Sequence, residues 1–165
     1  MRNMRRNFLA SLVTVLVCIM TGLIANANAQ AHKGRAEFVN ESAIQQPLYS
    51  EYKGVRLGMT AEETRAKLGT PAIKSNDQDY YVFSDSETAQ IGYDGAQKVA
   101  SISIDYLRGV GAPDYKAVVP GELGLTPSGS LYRMVRYESL GFWVSYNRTN
   151  GAVPMVTITI QKILQ

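Results

Sequence analysis

Catalysis by side chains needs particular residue types close together, and this chain holds few of them. It has one histidine, His32, and one cysteine, Cys18. A histidine-based triad, a cysteine nucleophile and a His/Cys metal cage are therefore not expected. Neither common glycine-rich phosphate loop occurs. Carboxylates alone can carry acid–base chemistry, and an enzyme of that kind would draw on residues such as Asp105 and Glu138. No carboxylate pair, however, stands apart from a solvated surface. The expectation is a protein without catalytic residues, metal or cofactor. The residues suited to contact are Trp143, the only tryptophan, with Met134 and Tyr132, and more weakly Tyr80 and Arg56. Large aromatics on a wet face mark a binding surface.

The first 29 residues read as a secretory signal peptide. Arg2, Arg5 and Arg6 precede an apolar run from Phe8 to Ile24, and the small residues Ala25, Ala27 and Ala29 follow it. Cleavage is expected after Ala29, with Ala27 the alternative. Cys18 lies inside the apolar run behind Val15-Leu16-Val17, where a lipobox wants a small residue, so no lipid anchor is expected. The chain carries 17 basic and 14 acidic residues. Losing the three leader arginines leaves 14 against 14, so the basic character belongs to the leader. Nothing then supports nucleic-acid binding, and no membrane span is expected after cleavage. The remaining 136 or so residues make one domain's worth of chain, without a disulfide.

Binding residues need elements to hold them. Residues 30–48 are mixed and polar and read as a flexible lead-in. GVRLGMTAEETRAKLGTP (54–71) frames one short helix. Thr60 can cap it and Glu63 can return the bond, Glu62 and Glu63 complement its positive end, and Gly69 and Pro71 stop it. Only Leu68 is large on the face shared with Ala61, Thr64 and Arg65, so the helix needs a sheet to lie on. DYYVFS (79–84), TAQIGYD (88–94) and KVASISIDYL (98–107) alternate apolar and polar as an antiparallel meander does. Residues 108–130 are rich in glycine and proline and read as a connector, with a short strand at 117–119. A second meander follows in 131–165, as LYRMVRYE, GFWVSYN and VPMVTITIQKIL. IGYDGAQKVASISIDY echoes VSYNRTNGAVPMVTITIQK, and Leu57-Gly58-Met59-Thr60 echoes Leu123-Gly124-Leu125-Thr126, so the two parts can be read as a degenerate tandem repeat.

The helix frame, followed by Tyr81, Phe83, a hairpin and Tyr93-Asp94-Gly95-x-x-Lys98-Val99-x-x-Ile102, resembles the SmpA/OmlA (BamE-like) domain family over roughly residues 52–107. Position 64, often a large apolar residue in that family, is Thr64 here. The resemblance implies an α+β fold like that of the β-lactamase-inhibitor proteins, with residues 49–107 forming a short helix packed on an antiparallel meander. It also implies an exported protein of the bacterial cell envelope that binds other proteins, for example the outer-membrane assembly machinery. The expected location is the periplasm or the periphery of the outer membrane, with secretion as the alternative. A second function of a different class, inhibition of an extracellular enzyme, follows from the same fold. In GFWVSYN, Phe142, Val144 and Tyr146 share the core face, which turns Trp143 outward. With a tight turn at 138–139, Met134 would lie opposite Trp143 with Tyr132 nearby. The alternative is an indole covered by the lead-in or the connector.

Overall fold

The structure is a computed structural model, and it describes residues 46–163. The leader and all but the end of the lead-in, with Cys18 and His32, lie outside the described residues. Helix α1 spans Ala61–Leu68. The strands are β1 (Ile73–Lys74), β2 (Gln78–Val82), β3 (Glu87–Tyr93), β4 (Val99–Leu107), β5 (Gly124–Leu125), β6 (Leu131–Tyr137), β7 (Phe142–Arg148) and β8 (Met155–Lys162). All eight form one antiparallel sheet in the order β1-β2-β3-β4-β8-β7-β6-β5.

This corrects the expected α+β arrangement. One eight-residue helix against eight strands is not a layer, and the molecule is mainly antiparallel β. The reason lies in where the two meanders meet. β4 and β8 pair along seven positions, from Ser101↔Gln161 to Leu107↔Met155, so the meanders fuse into one sheet. Their inner residues Ile102, Ile104, Ile158 and Ile160 are all fully buried. Burying four such side chains at one seam contributes on the order of 1.5–3 kcal/mol each, more than a helix with so thin an apolar stripe can supply.

The helix termini are as local chemistry dictates. The Thr60 hydroxyl accepts from the Glu63 amide at 3.2 Å, and the Glu63 carboxylate accepts from the Thr60 amide at 2.8 Å, a closed capping box. Gly69 ends the helix at φ 84°. Thr64, rather than Leu68, is the fully buried member of the inner face beside Ala61, and its hydroxyl donates to the Thr60 carbonyl. A hydroxyl can be buried there because the preceding turn accepts its proton. Thr60→Ala should cost about 1 kcal/mol of stability, read as a lower urea midpoint; an unchanged midpoint would remove the cap from the account. Backbone and then side-chain hydrogen bonds from Thr60 hold the Glu63 carboxyl below its ordinary range. A carboxyl lowered in the folded state stabilises fully above its unfolded value and loses that contribution as pH falls through its folded value. Glu63→Gln should therefore flatten the acid limb of the stability profile.

The connector is part of the core. It carries no strand at 117–119; Tyr115–Ala117 make a 3₁₀ turn capped by Asp114, and Val118 and Val119 behind it are fully buried. The Tyr115 ring meets Tyr146 at 6.2 Å, and Arg133 donates to the Glu122 carbonyl. The inner face of the second meander is thus covered by irregular chain where a repeat would have placed a helix. The echoed tetrapeptides also fall in unlike places. Gly58 and Met59 bond to Val99 at the start of β4, whereas Gly124 and Leu125 form the edge strand β5.

Candidate functional site

Strand parity divides the sheet into a covered face and an open one. Cross-strand register then orders the open face into rows. One row runs Tyr80, Gln90, Ser103, Thr159, Ser145, Met134. The next runs Val82, Thr88, Asp105, Thr157, Asn147, Tyr132, and a third runs Gln78, Gly92, Ser101, Gln161, Trp143, Arg136. At the centre the Ser103 and Thr159 hydroxyls stand 3.3 Å apart, and Thr157 donates to Asp105 at 2.6 Å. Across these eighteen positions only Asp105 and Arg136 carry charge. Exposed surfaces of small domains are usually about a quarter to a third charged, so this face departs from an ordinary solvated one.

The contact residues read from the sequence are partly brought together. Tyr132 and Met134 are each 40% exposed on the open face, and Trp143 shares that face half-buried. Their pairing differs from expectation. Residues 138–140 form a 3₁₀ turn closed by Gly141 at φ 72°, in place of a tight two-residue turn. Met134 therefore pairs with Ser145 and Trp143 with Arg136. A slip of two residues keeps every side chain on its face and changes only its partner, so Met134 and Trp143 become diagonal neighbours.

Tyr80 lies on the same face but on β2, four strand spacings from β7 in the sheet order, roughly 19 Å. Arg56 belongs elsewhere. It borders a groove of about 550 Å³ with Leu57, Leu140, Phe142 and Lys162, its guanidinium paired to Glu51 at 2.6 Å. Asp105 and Glu138 are not brought together: Asp105 sits in the row of Tyr132, while Glu138 follows the far end of β6 and pairs with Arg136. Among the described residues no three His, Cys, Asp or Glu side chains are grouped to hold a metal ion, and no helix is long and apolar enough to cross a membrane.

Sequence reasoning missed the most structured polar group, on the covered face. Asp79 is fully buried. It accepts from Arg65 Nε at 2.8 Å and Nη2 at 3.1 Å, from the Tyr93 hydroxyl at 2.7 Å and, at the limit of bonding, from the Tyr81 hydroxyl at 3.5 Å. Burial, then the bond to Asp79, pushes the Tyr93 phenol far up, and burial with the Asp79 charge pushes Tyr81 up to about 12. Both phenols therefore stay donors at neutral pH. The signal was present in the strand: in DYYV, Asp79 has the parity of Tyr81, so an inward tyrosine implied an inward carboxylate. The arrangement clamps α1 to β2.

Compared with family models, curated proteins and solved structures, the chain has no match.

Proposed function

We propose that this chain is a non-catalytic, exported protein-binding module of the bacterial cell envelope, and that the open face of its sheet is the docking surface. The observation that supports this reading most is the composition of that face. Tyr132, Met134, Trp143 and Arg136 border a field of serine, threonine, asparagine and glutamine with almost no charge. Interface centres are depleted in charge and enriched in Tyr, Trp, Met and Arg, while small polar residues supply adaptable hydrogen bonds. The export part of the proposal comes from the leader read in residues 1–29. The envelope part, with the link to outer-membrane assembly or maintenance, comes from the resemblance of residues 52–107 to SmpA/OmlA domains.

The test is in-cell cross-linking of the tagged full-length chain, with co-purified proteins identified by mass spectrometry. Recovery of outer-membrane assembly components is expected, and Trp143→Ala should weaken capture roughly 30-fold, the loss of a hot-spot aromatic worth about 2 kcal/mol. Capture unchanged by Trp143→Ala would remove the open face from the proposal. Recovery of an extracellular enzyme, inhibited by the purified protein, would replace the scaffold by the inhibitor.

A further inference from the structure

The register sets an arginine at the rim of the covered side of the sheet. One inward row runs Tyr106, Val156, Arg148, Leu131 across β4, β8, β7 and β6. Tyr106 and Val156 in that row are buried. Arg148, at the rim of that row, and Arg108 are both exposed, so their guanidiniums can meet a solute from solvent with apolar side chains beside them. Arg148 has no ion pair or side-chain hydrogen bond among the described residues, and neither has Arg108. Arg108 follows the end of β4 in a left-handed conformation, φ 58°, which non-glycine residues adopt rarely.

Both arginines line one pocket of about 410 Å³ between the connector and this end of the sheet. The volume lies within the range of small-molecule sites. Its walls include Val156 and Leu131 and the rings of Tyr115 and Tyr146. Tyr146 is only 6% exposed, and its hydroxyl has no hydrogen-bond partner among the described residues. Burial raises that phenol above its ordinary value, so it keeps its proton as a donor. One acid shares the pocket, Asp114, whose Oδ1 accepts from the Lys116 amide of the 3₁₀ turn at 2.9 Å. Two guanidiniums and a phenol against one engaged carboxylate leave a surplus of donors and of positive charge. The groove beside Arg56 differs in this respect, since Arg56 and Lys162 there are already paired with Glu51 and Asp94.

We infer that this pocket binds a small amphipathic organic anion, with its carboxylate or phosphate head on Arg108, Arg148 and the Tyr146 hydroxyl and its apolar or aromatic body against Tyr115, Leu131 and Val156. Guanidinium suits either head because its fork matches two oxygens at once. The apolar wall supplies what an inorganic ion cannot use. The site is separate from the open face, and its occupancy does not depend on the protein partner proposed above.

The test is nuclear magnetic resonance titration of the chain lacking residues 1–29 with benzoate, phenyl phosphate, inorganic phosphate and benzyl alcohol. Benzoate or phenyl phosphate should give saturable shifts centred on residues 108–115 and 146–148, and the tighter of the two identifies the head group. Inorganic phosphate and benzyl alcohol should each bind at least about tenfold more weakly, having only half of the required chemistry. The double variant Arg108→Gln/Arg148→Gln should lose at least about tenfold in affinity, and Tyr146→Phe several-fold, while Lys116→Gln, a cation outside the pocket, should change little. Shift mapping on the unaltered protein decides the matter even where a variant folds poorly. Absence of saturable binding by both aromatic anions, shifts centred elsewhere, or equal affinity in the double variant would overturn the inference.

Discussion

Asp79→Ala is expected to destabilise the protein by about 3–5 kcal/mol, the cost of removing one partner from a buried ion pair. Against a typical total of about 5–15 kcal/mol, this is a large share. The loss is large because three groups depend on that carboxylate. Arg65 would keep its charge while mostly covered, and Tyr93 would lose its acceptor, as would Tyr81 at longer range. The damage should concentrate in α1. That helix buries fully only Ala61 and Thr64, so the Arg65 clamp is a main attachment to the sheet. Hydrogen exchange of residues 64–69 should accelerate in the variant more than exchange in β4 or β8. A variant within about 1 kcal/mol of the parent in urea, with helix amides still protected, would refute the clamp.

The same cluster makes an alkaline prediction. An unfolded tyrosine titrates near pH 10, and Tyr81 is pushed up to about 12 by burial first and then by Asp79. With the folded value above the unfolded one, the contribution is complete below about pH 10 and is lost as pH rises toward 12. Asp79→Asn removes the charge and should bring the phenolate absorbance of Tyr81 and Tyr93 in at lower pH. A phenolate titration identical in parent and variant would show that Asp79 does not govern these phenols.

The second large effect is expected at the seam. Ile158→Ala should cost about 2–5 kcal/mol, because the side chain is fully buried between Ile104 on β4 and Tyr146 on β7. The more telling outcome is cooperativity. Since β4 and β8 join the two meanders along seven paired positions, both halves should melt in one transition in parent and variant alike. Trp143 fluorescence reports the second meander, and exchange of β2 and β3 amides reports the first. Two separated transitions would mean that the meanders are independent units lying side by side. Deleting residues 154–165 should abolish cooperative unfolding altogether, because β8 is last in the chain but central in the sheet.

Much of the local structure was legible in the residues. The Thr60–Glu63 bonds and the Gly69 amide bond to the Arg65 carbonyl each span at most four residues, so the helix and its ends follow from neighbours alone. The same holds for the β3–β4 hairpin, where Asp94 accepts from the amides of Ala96 and Lys98 and sets the turn. Period-two alternation placed Ile102, Ile104, Ile158 and Ile160 inward and Trp143 outward, because side-chain direction along a strand needs no knowledge of the partner strand. The contact patch was accordingly half legible: its face came from parity, but its pairing depended on a 3₁₀ turn that residues 138–141 do not advertise.

What the chain could not disclose by itself were the meetings of distant segments. Ile104 faces Ile158, 54 positions further along the chain, and no local preference distinguishes that pairing from two separate meanders. The fused sheet, and with it the failure of the α+β expectation, was decided by apolar burial at that seam. Val118 and Val119 looked like part of a linker until the second meander offered them a face to cover. Arg65 and Asp79, fourteen positions apart, met only when α1 crossed β2. Arg108 and Arg148 share a pocket only because β8 returns between β4 and β7. Hydrogen bonds within a turn and the alternation of a strand are short-ranged, so the sequence alone determined them. Burial depends on which surfaces meet, and only the tertiary structure decides that.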